Sequence, residues 1–148
     1  MPKRKRRKLT SAQKWVVGLG LLVAVLGLIN LGRMAMALRT ARILPELPMS
    51  VSYSYLAVTG GFWGVVLVAC AVSLLRFYRR ARWATLAAAT LYEIHTWVNR
   101  LLFDASDYAR QVRLQDLALT ILFLAFTWIL LNVPFGRRVF APEYQETQ

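Results

Sequence analysis

Glu93, His95, Asn99 and Arg100 lie close together just after the apolar run WATLAAATLY. A carboxylate, an imidazole, an amide and a guanidinium at that spacing can pass a proton, hold an ion, or tie helices together by hydrogen bonds. All three uses require the stretch to be helical. At 100 degrees per residue Tyr92, Glu93, His95, Thr96, Asn99 and Arg100 fall within one arc of roughly 160 degrees. The opposite arc carries Ala87, Leu91, Ile94, Val98 and Leu101, which suit lipid or packing.

Other chemistries are narrowed by what the chain contains. His95 is the one histidine, so a two-histidine haem site cannot form within one copy. Cys70 is the one cysteine, which excludes an internal disulfide, a CxxC redox pair and a thiolate metal cage. Asp104 and Asp107 fall short of the six to eight or so oxygens that calcium needs. Ser106, Asp107 and His95 match a hydrolytic triad in composition only, with neither a nucleophile elbow nor an oxyanion hole. The expectation is therefore a protein that is not an enzyme and carries no metal or cofactor.

The elements that must position these residues follow from the distribution of apolar side chains. The chain has 148 residues, 57% hydrophobic and 18% charged, with a formal net charge of +12. Apolar residues come in long blocks and charges in short ones, which excludes disorder and points to an integral membrane protein. The length suits one domain. A bilayer core of ~30 Å takes about 20 helical residues, and four segments reach that length: 15–38, 51–75, 83–103 and 117–134. Residues 51–75 contain no Asp, Glu, Lys or Arg and form the clearest span. Pro134 and Gly136 mark the end of the fourth. The fold class expected is all-α, a four-helix transmembrane bundle over 15–136, between a basic arm (1–14) and a tail (137–148).

A cleaved secretory signal is the competing reading of the first segment, because a basic stretch precedes it and Ala35-Met36-Ala37 resembles a cleavage site. Its apolar block runs from Trp15 to Gly32, longer than the usual 7 to about 15 residues, and Arg33 crowds the site. An uncleaved helix fits better.

Orientation follows from the cations. Seven of the nineteen Lys and Arg residues lie in the first fourteen positions, and Arg76, Arg79, Arg80, Arg82, Arg137 and Arg138 belong to the same side of a four-span chain. Arg33, Arg39, Arg42, Arg100, Arg110 and Arg113 belong to the other. The positive-inside rule then places both termini in the cytoplasm. Trp15, Phe77, Tyr78 and Trp83 would mark the inner interface, and Tyr53, Tyr55, Phe103 and Tyr108 the outer one. The arm KRKRRK resembles a nucleic-acid patch, but beside a span it reads as a topology determinant that binds anionic lipid headgroups. No nucleic-acid partner is expected. Arginine outnumbers lysine fifteen to four, a coarse sign of a GC-rich prokaryotic genome. Pro45 and Pro48 oppose a regular helix across 44–47. The pairs Asp107 with Arg110 and Arg113 with Asp116 suggest a short surface helix or a helical lead-in to the fourth span.

With this topology the polar groups share a layer. Asn30 and Arg33 arrive about 22 and 27 Å from Trp15, level with His95 to Arg100. Glu93 lies near the bilayer centre, where an ionisable group costs about 2.5 to 3.5 kcal/mol on insertion scales and must face the interior. One reading of Glu93, His95, Asn99, Arg100, Asn30 and Arg33 is a locking network, with Glu93 bridged to Arg33 or Arg100 and His95 bonded to Asn30 or a tyrosine. The other is an outward-open cavity in which Glu93 titrates and His95 relays a proton. For packing, the small-residue pairs are Gly60 with Gly64, Gly20 with Ala24, and Ala84 with Ala88, serving the bundle itself or a homodimer. The expected function is a non-catalytic component or assembly partner of a membrane complex. The alternative is a small proton- or ion-coupled transporter, acting as a homo-oligomer through a cavity around Glu93.

Overall fold

The computed structural model describes residues 10–43, 51–103, 107–134 and 139–140, with side chains for all but 107–110. The basic stretch 1–9, the prolines of the first connection, Asp104, Ser106 and residues 141–148 lie outside the described residues. The fold is all-helical. Its four helices are α1 (Ser11–Ile43), α2 (Tyr53–Leu75), α3 (Ala81–Phe103) and α4 (Asp107–Asn132).

Local sequence sets where each helix begins and ends. Thr10 and Gln13 form a reciprocal capping box before α1. The Thr10 backbone N–H donates to Gln13 Oε1 at 2.9 Å, and the Gln13 N–H donates to Thr10 Oγ1 at 3.3 Å. This cap moves the helix start four residues ahead of Trp15, so Lys14 is helical rather than part of an arm. Ser52 caps α2 by accepting from the Tyr55 N–H at 3.2 Å. At its other end α2 closes in a Schellman turn, with Phe77 N–H to Leu74 O at 3.0 Å and Tyr78 N–H to Ser73 O at 3.1 Å. Phe77 takes the left-handed position of that turn, with φ 53°. The lead-in to the fourth segment is helical and continuous with it, so α4 begins at Asp107 instead of Leu117.

Three helices are long and apolar enough to cross a membrane: Ser11–Ile43, Tyr53–Leu75 and Gln111–Asn132. The third expected segment forms a helix of sufficient length, about 34 Å for its 23 residues. Arg82, Glu93, His95, Asn99 and Arg100 keep it from being apolar in the same degree.

Sequential helices pack as antiparallel neighbours, and the most extensive contact is between α1 and α2. Glycine makes that contact close. A Cβ on Gly60 would stand 2.9 Å from the Asn30 carbonyl oxygen, and one on Gly27 would stand 2.8 Å from Val68 and 3.1 Å from the Gly64 carbonyl oxygen. Gly64 faces Leu31, and Gly20 faces Leu75. The two backbones touch along one seam, as expected where lipid removes the hydrophobic drive between helices. Of the other small residues, Ala88 is buried and joins the core, Ala24 packs against it half-buried, and Ala84 is exposed.

The apolar core gathers where α1 begins and α2 ends. Val16, Leu19 and Val23 meet Leu67, Ala71 and Leu74, with Leu86 of α3 and Leu131 of α4. The lone Cys70 is buried there. Val139 and Phe140, counted with the tail in the sequence, are also buried in this cluster beside Ala12. The start of α1 and the chain just beyond α4 therefore lie at one end.

Candidate functional site

The polar half of the fold is organised by α3. Glu93 and His95 are two residues apart, which is 200 degrees around a helix, so an arc wide enough to hold both has them at opposite edges. The structure turns these edges towards different neighbours. Tyr92, His95, Thr96 and Asn99 face α1 and α2, whereas Glu93 and Trp97 face α4.

On the first face, the Tyr55 hydroxyl donates to Asn99 Oδ1 at 2.6 Å and lies 3.4 Å from His95 Nε2. Asn99 Nδ2 lies 3.3 and 3.2 Å from the two ring nitrogens of His95. Tyrosine, histidine and asparagine thus form a closed triangle between α2 and α3. Asn30 of α1, only 3% exposed, donates through Nδ2 to the Leu26 carbonyl at 2.9 Å and to the Tyr92 hydroxyl at 3.1 Å. Trp63 underlies both groups, its ring 5.5 Å from Tyr92 and 5.6 Å from His95. A cavity of about 180 Å³ opens beside the triangle, lined by Asn30, Arg33, Tyr55, His95, Asn99 and Arg100.

On the second face, Thr120 of α4 joins two α3 side chains. Trp97 Nε1 donates to Thr120 Oγ1 at 3.1 Å, and Thr120 Oγ1 donates to Glu93 Oε2 at 3.1 Å. An indole N–H can only donate, so the threonine proton is directed at the carboxyl. Glu93 borders a groove of about 570 Å³ between α1 and α4, whose walls are Leu21, Leu22, Val25, Leu119 and Phe123. Among the described residues Glu93 has no cationic partner.

Arg100 belongs to the edge of both faces. It lines the cavity and pairs with Asp116 of α4, Nη1 to Oδ2, at 2.7 Å. Its guanidinium lies 5.6 Å from the centre of the Trp97 ring.

Several sequence expectations are corrected by this geometry. Glu93 bridges to neither Arg33 nor Arg100, because Arg100 reaches Asp116 and Glu93 points to Thr120. The cavity is not built around Glu93, which does not line it. Of the two partners expected for His95 the tyrosine is found, Tyr55 at 3.4 Å, while Asn30 bonds to Tyr92 instead. Asp116 pairs across to α3 rather than with Arg113 on its own helix. Tyr55 points inward to Asn99 instead of serving only an interfacial belt.

Sequence reasoning placed Thr120 in the same layer as the polar groups of α3 but passed over Trp63 and Trp97. Both tryptophans read as apolar bulk. Their hydrogen-bonding and ring contacts depend on which residue lies opposite, which no single segment encodes. Among the described residues no three His, Cys, Asp or Glu side chains gather as a metal site would require. Comparison with protein-family models, with curated proteins and with solved structures found no match.

Proposed function

We propose that this chain is a four-span integral membrane protein, both termini cytoplasmic, that acts as a non-catalytic assembly partner in a membrane complex by receiving a partner's transmembrane helix in the Glu93 groove. The observation that carries the reading is the groove itself. Glu93 lies about 18 Å along α3 from Ala81, near the middle of a bilayer-spanning helix, and its surroundings offer it one hydroxyl and apolar walls. A carboxyl at that depth is costly unless bonded. The helices on either side of the groove, α1 and α4, touch only sparsely, so the space admits a side chain or helix from outside.

The complement of an acid between Leu and Phe walls is a transmembrane helix carrying Lys, Arg, Asn or Gln at mid-depth. A second copy, inserted in the same orientation, cannot supply the cation. This chain has no Lys or Arg between Lys14 and Arg33, between Arg82 and Arg100, or between Arg113 and Arg137, and none within α2. A heterologous partner therefore fits better than a homodimer. The carrier alternative is weaker because, among the described residues, no carboxylate lines the polar cavity. The basic residues of the arm would hold the inner face to anionic headgroups.

The test is photo-crosslinking in native membranes, from a probe placed at Leu22 on the groove wall or at Ile94 on the outward face of α3. The reading expects a heterologous product from Leu22 and none from Ile94. It expects the Leu22 product to fall about tenfold in Glu93→Leu, the equivalent of one lost intramembrane bond. Equal products from both positions, a homodimer product, or indifference to Glu93→Leu would overturn it.

A further inference from the structure

The polar cavity between α1, α2 and α3 has a chemistry of its own, independent of the groove. Its charged side chains are Arg33 and Arg100, and its other polar walls are Asn30, Tyr55, Thr59, His95, Thr96 and Asn99. Among the described residues the one carboxylate paired with this set is Asp116, which takes a bond from Arg100 Nη1 at 2.7 Å. Arg33 has no carboxylate partner among the described residues. Among the described residues two cations stand against one anion, which leaves this lining with net positive charge.

The neutral groups do not remove that imbalance. The Tyr55 proton is spent on Asn99, and the amide of Asn30 on Leu26 and Tyr92. The guanidinium groups of Arg33 and Arg100 are the charged donors on the lining. Planar guanidinium donors suit oxygen anions, which they grip through two parallel bonds. The volume of about 180 Å³ equals the share of roughly six waters at ~30 Å³ each, enough for one phosphate-sized group but not for a large ligand.

We infer that this cavity binds a phosphate-type oxyanion between Arg33 and Arg100, either free or as the headgroup of an anionic lipid. Both sources fit the location. Arg100 lies about 29 Å along α3 from Ala81, where a spanning helix reaches the level of the lipid phosphates. Trp63 and Phe103 on the same cavity supply apolar surface.

The full chain is purified in zwitterionic detergent and titrated with inorganic phosphate by calorimetry. It is also reconstituted in phosphatidylcholine nanodiscs, with and without phosphatidylglycerol, and retained lipid is counted by native mass spectrometry. Phosphate binding in detergent identifies a free oxyanion; retention of phosphatidylglycerol without phosphate binding identifies the lipid. Either result supports the site if Arg33→Gln weakens it about tenfold and Arg39→Gln, further along α1 and outside the cavity, does not. Lipid held by the basic arm is insensitive to Arg33→Gln and is thereby separated. Binding of neither probe, or equal loss in Arg33→Gln and Arg39→Gln, would overturn the inference.

Discussion

Individual side chains in the polar half differ in how much water can replace them, and this decides which matter for stability. Asn30 is 3% exposed and its amide holds both a carbonyl of its own helix and the Tyr92 hydroxyl. Tyr55 makes a shorter bond, 2.6 Å to Asn99, but does so on the wall of a cavity where water can take its place. Interhelical hydrogen bonds in membrane proteins average about 0.6 kcal/mol and reach about 1.7. Tyr55→Phe should accordingly cost about 0.6 kcal/mol and Asn30→Leu nearer to 1.7, measured as unfolding free energies in mixed micelles. The reverse order would mean that the cavity is dry and that the Tyr55, His95 and Asn99 triangle is the true lock. The same view explains why Glu93 and His95 part company. The sequence shows both as polar residues of one helix, yet 200 degrees of rotation separates them, and only a neighbour on each side reveals two sites instead of one.

At the scale of helices, two different glues hold the fold. The α1–α2 seam is backbone against backbone, whereas α3 and α4 are joined by spaced polar clasps. These are Arg82 to Asn132 at 2.8 Å, Trp128 to Thr90 at 3.3 Å, the Trp97–Thr120–Glu93 relay, and Arg100 to Asp116. The glycines give the sharper prediction. Gly60→Ala places a methyl 2.9 Å from the Asn30 carbonyl oxygen, which must move, while a Cβ on Gly32 meets nothing within 4 Å. Gly60→Ala should therefore destabilise by about 1 to 3 kcal/mol. Gly32→Ala should be neutral or stabilise by up to about 1 kcal/mol, through reduced chain entropy. Denaturant titration followed by circular dichroism separates them, and equal effects would mean that the seam is looser than drawn. Legibility differs between the two glues for a physical reason. The spacing of Gly60 and Gly64 is a local pattern, visible in one segment, and it points at a close approach. Its counterpart on α1 was less visible, since Gly20 pairs by spacing with Ala24 while contact with α2 recurs at Gly20 and Gly27. The clasps left no local trace, because Trp and Thr form them only when the antiparallel register brings their partners level. Helix existence was readable from apolar length. Ends were readable only in part: the spacing of Arg113 and Asp116 pointed to a helical lead-in to α4, whereas the Thr10 and Gln13 box lies outside the apolar blocks that marked the segments.

For the molecule as a whole, α3 is the helix whose crossing of the bilayer depends on its neighbours, since it falls short of their apolarity. Its polar side chains are offset within the fold, Arg82 by Asn132, Asn99 by Tyr55 and Arg100 by Asp116, and Glu93 in part by the Thr120 hydroxyl. What α3 leaves outside is Leu91, Ile94, Val98, Leu101 and Leu102, all exposed and all apolar. A helix that lay flat on the membrane would bury that stripe and turn the polar face to water, but here the polar face is occupied by other helices. Most of the insertion cost is therefore met inside the fold, and α3 should span. The two arrangements differ at the C-terminus. With four crossings both ends share one side; with α3 on the surface the tail emerges on the side opposite the arm. A tandem reporter fused after Gln148, with phosphatase active outside and fluorescent protein active inside, should give fluorescence without phosphatase activity. The same fusion carrying Glu93→Lys, which puts a cation at mid-depth beside the same hydroxyl, tests the compensation argument. If pairing within the fold is what lets α3 insert, this change should raise the phosphatase signal, whereas a wild-type fusion already active as phosphatase would mean that only three helices cross.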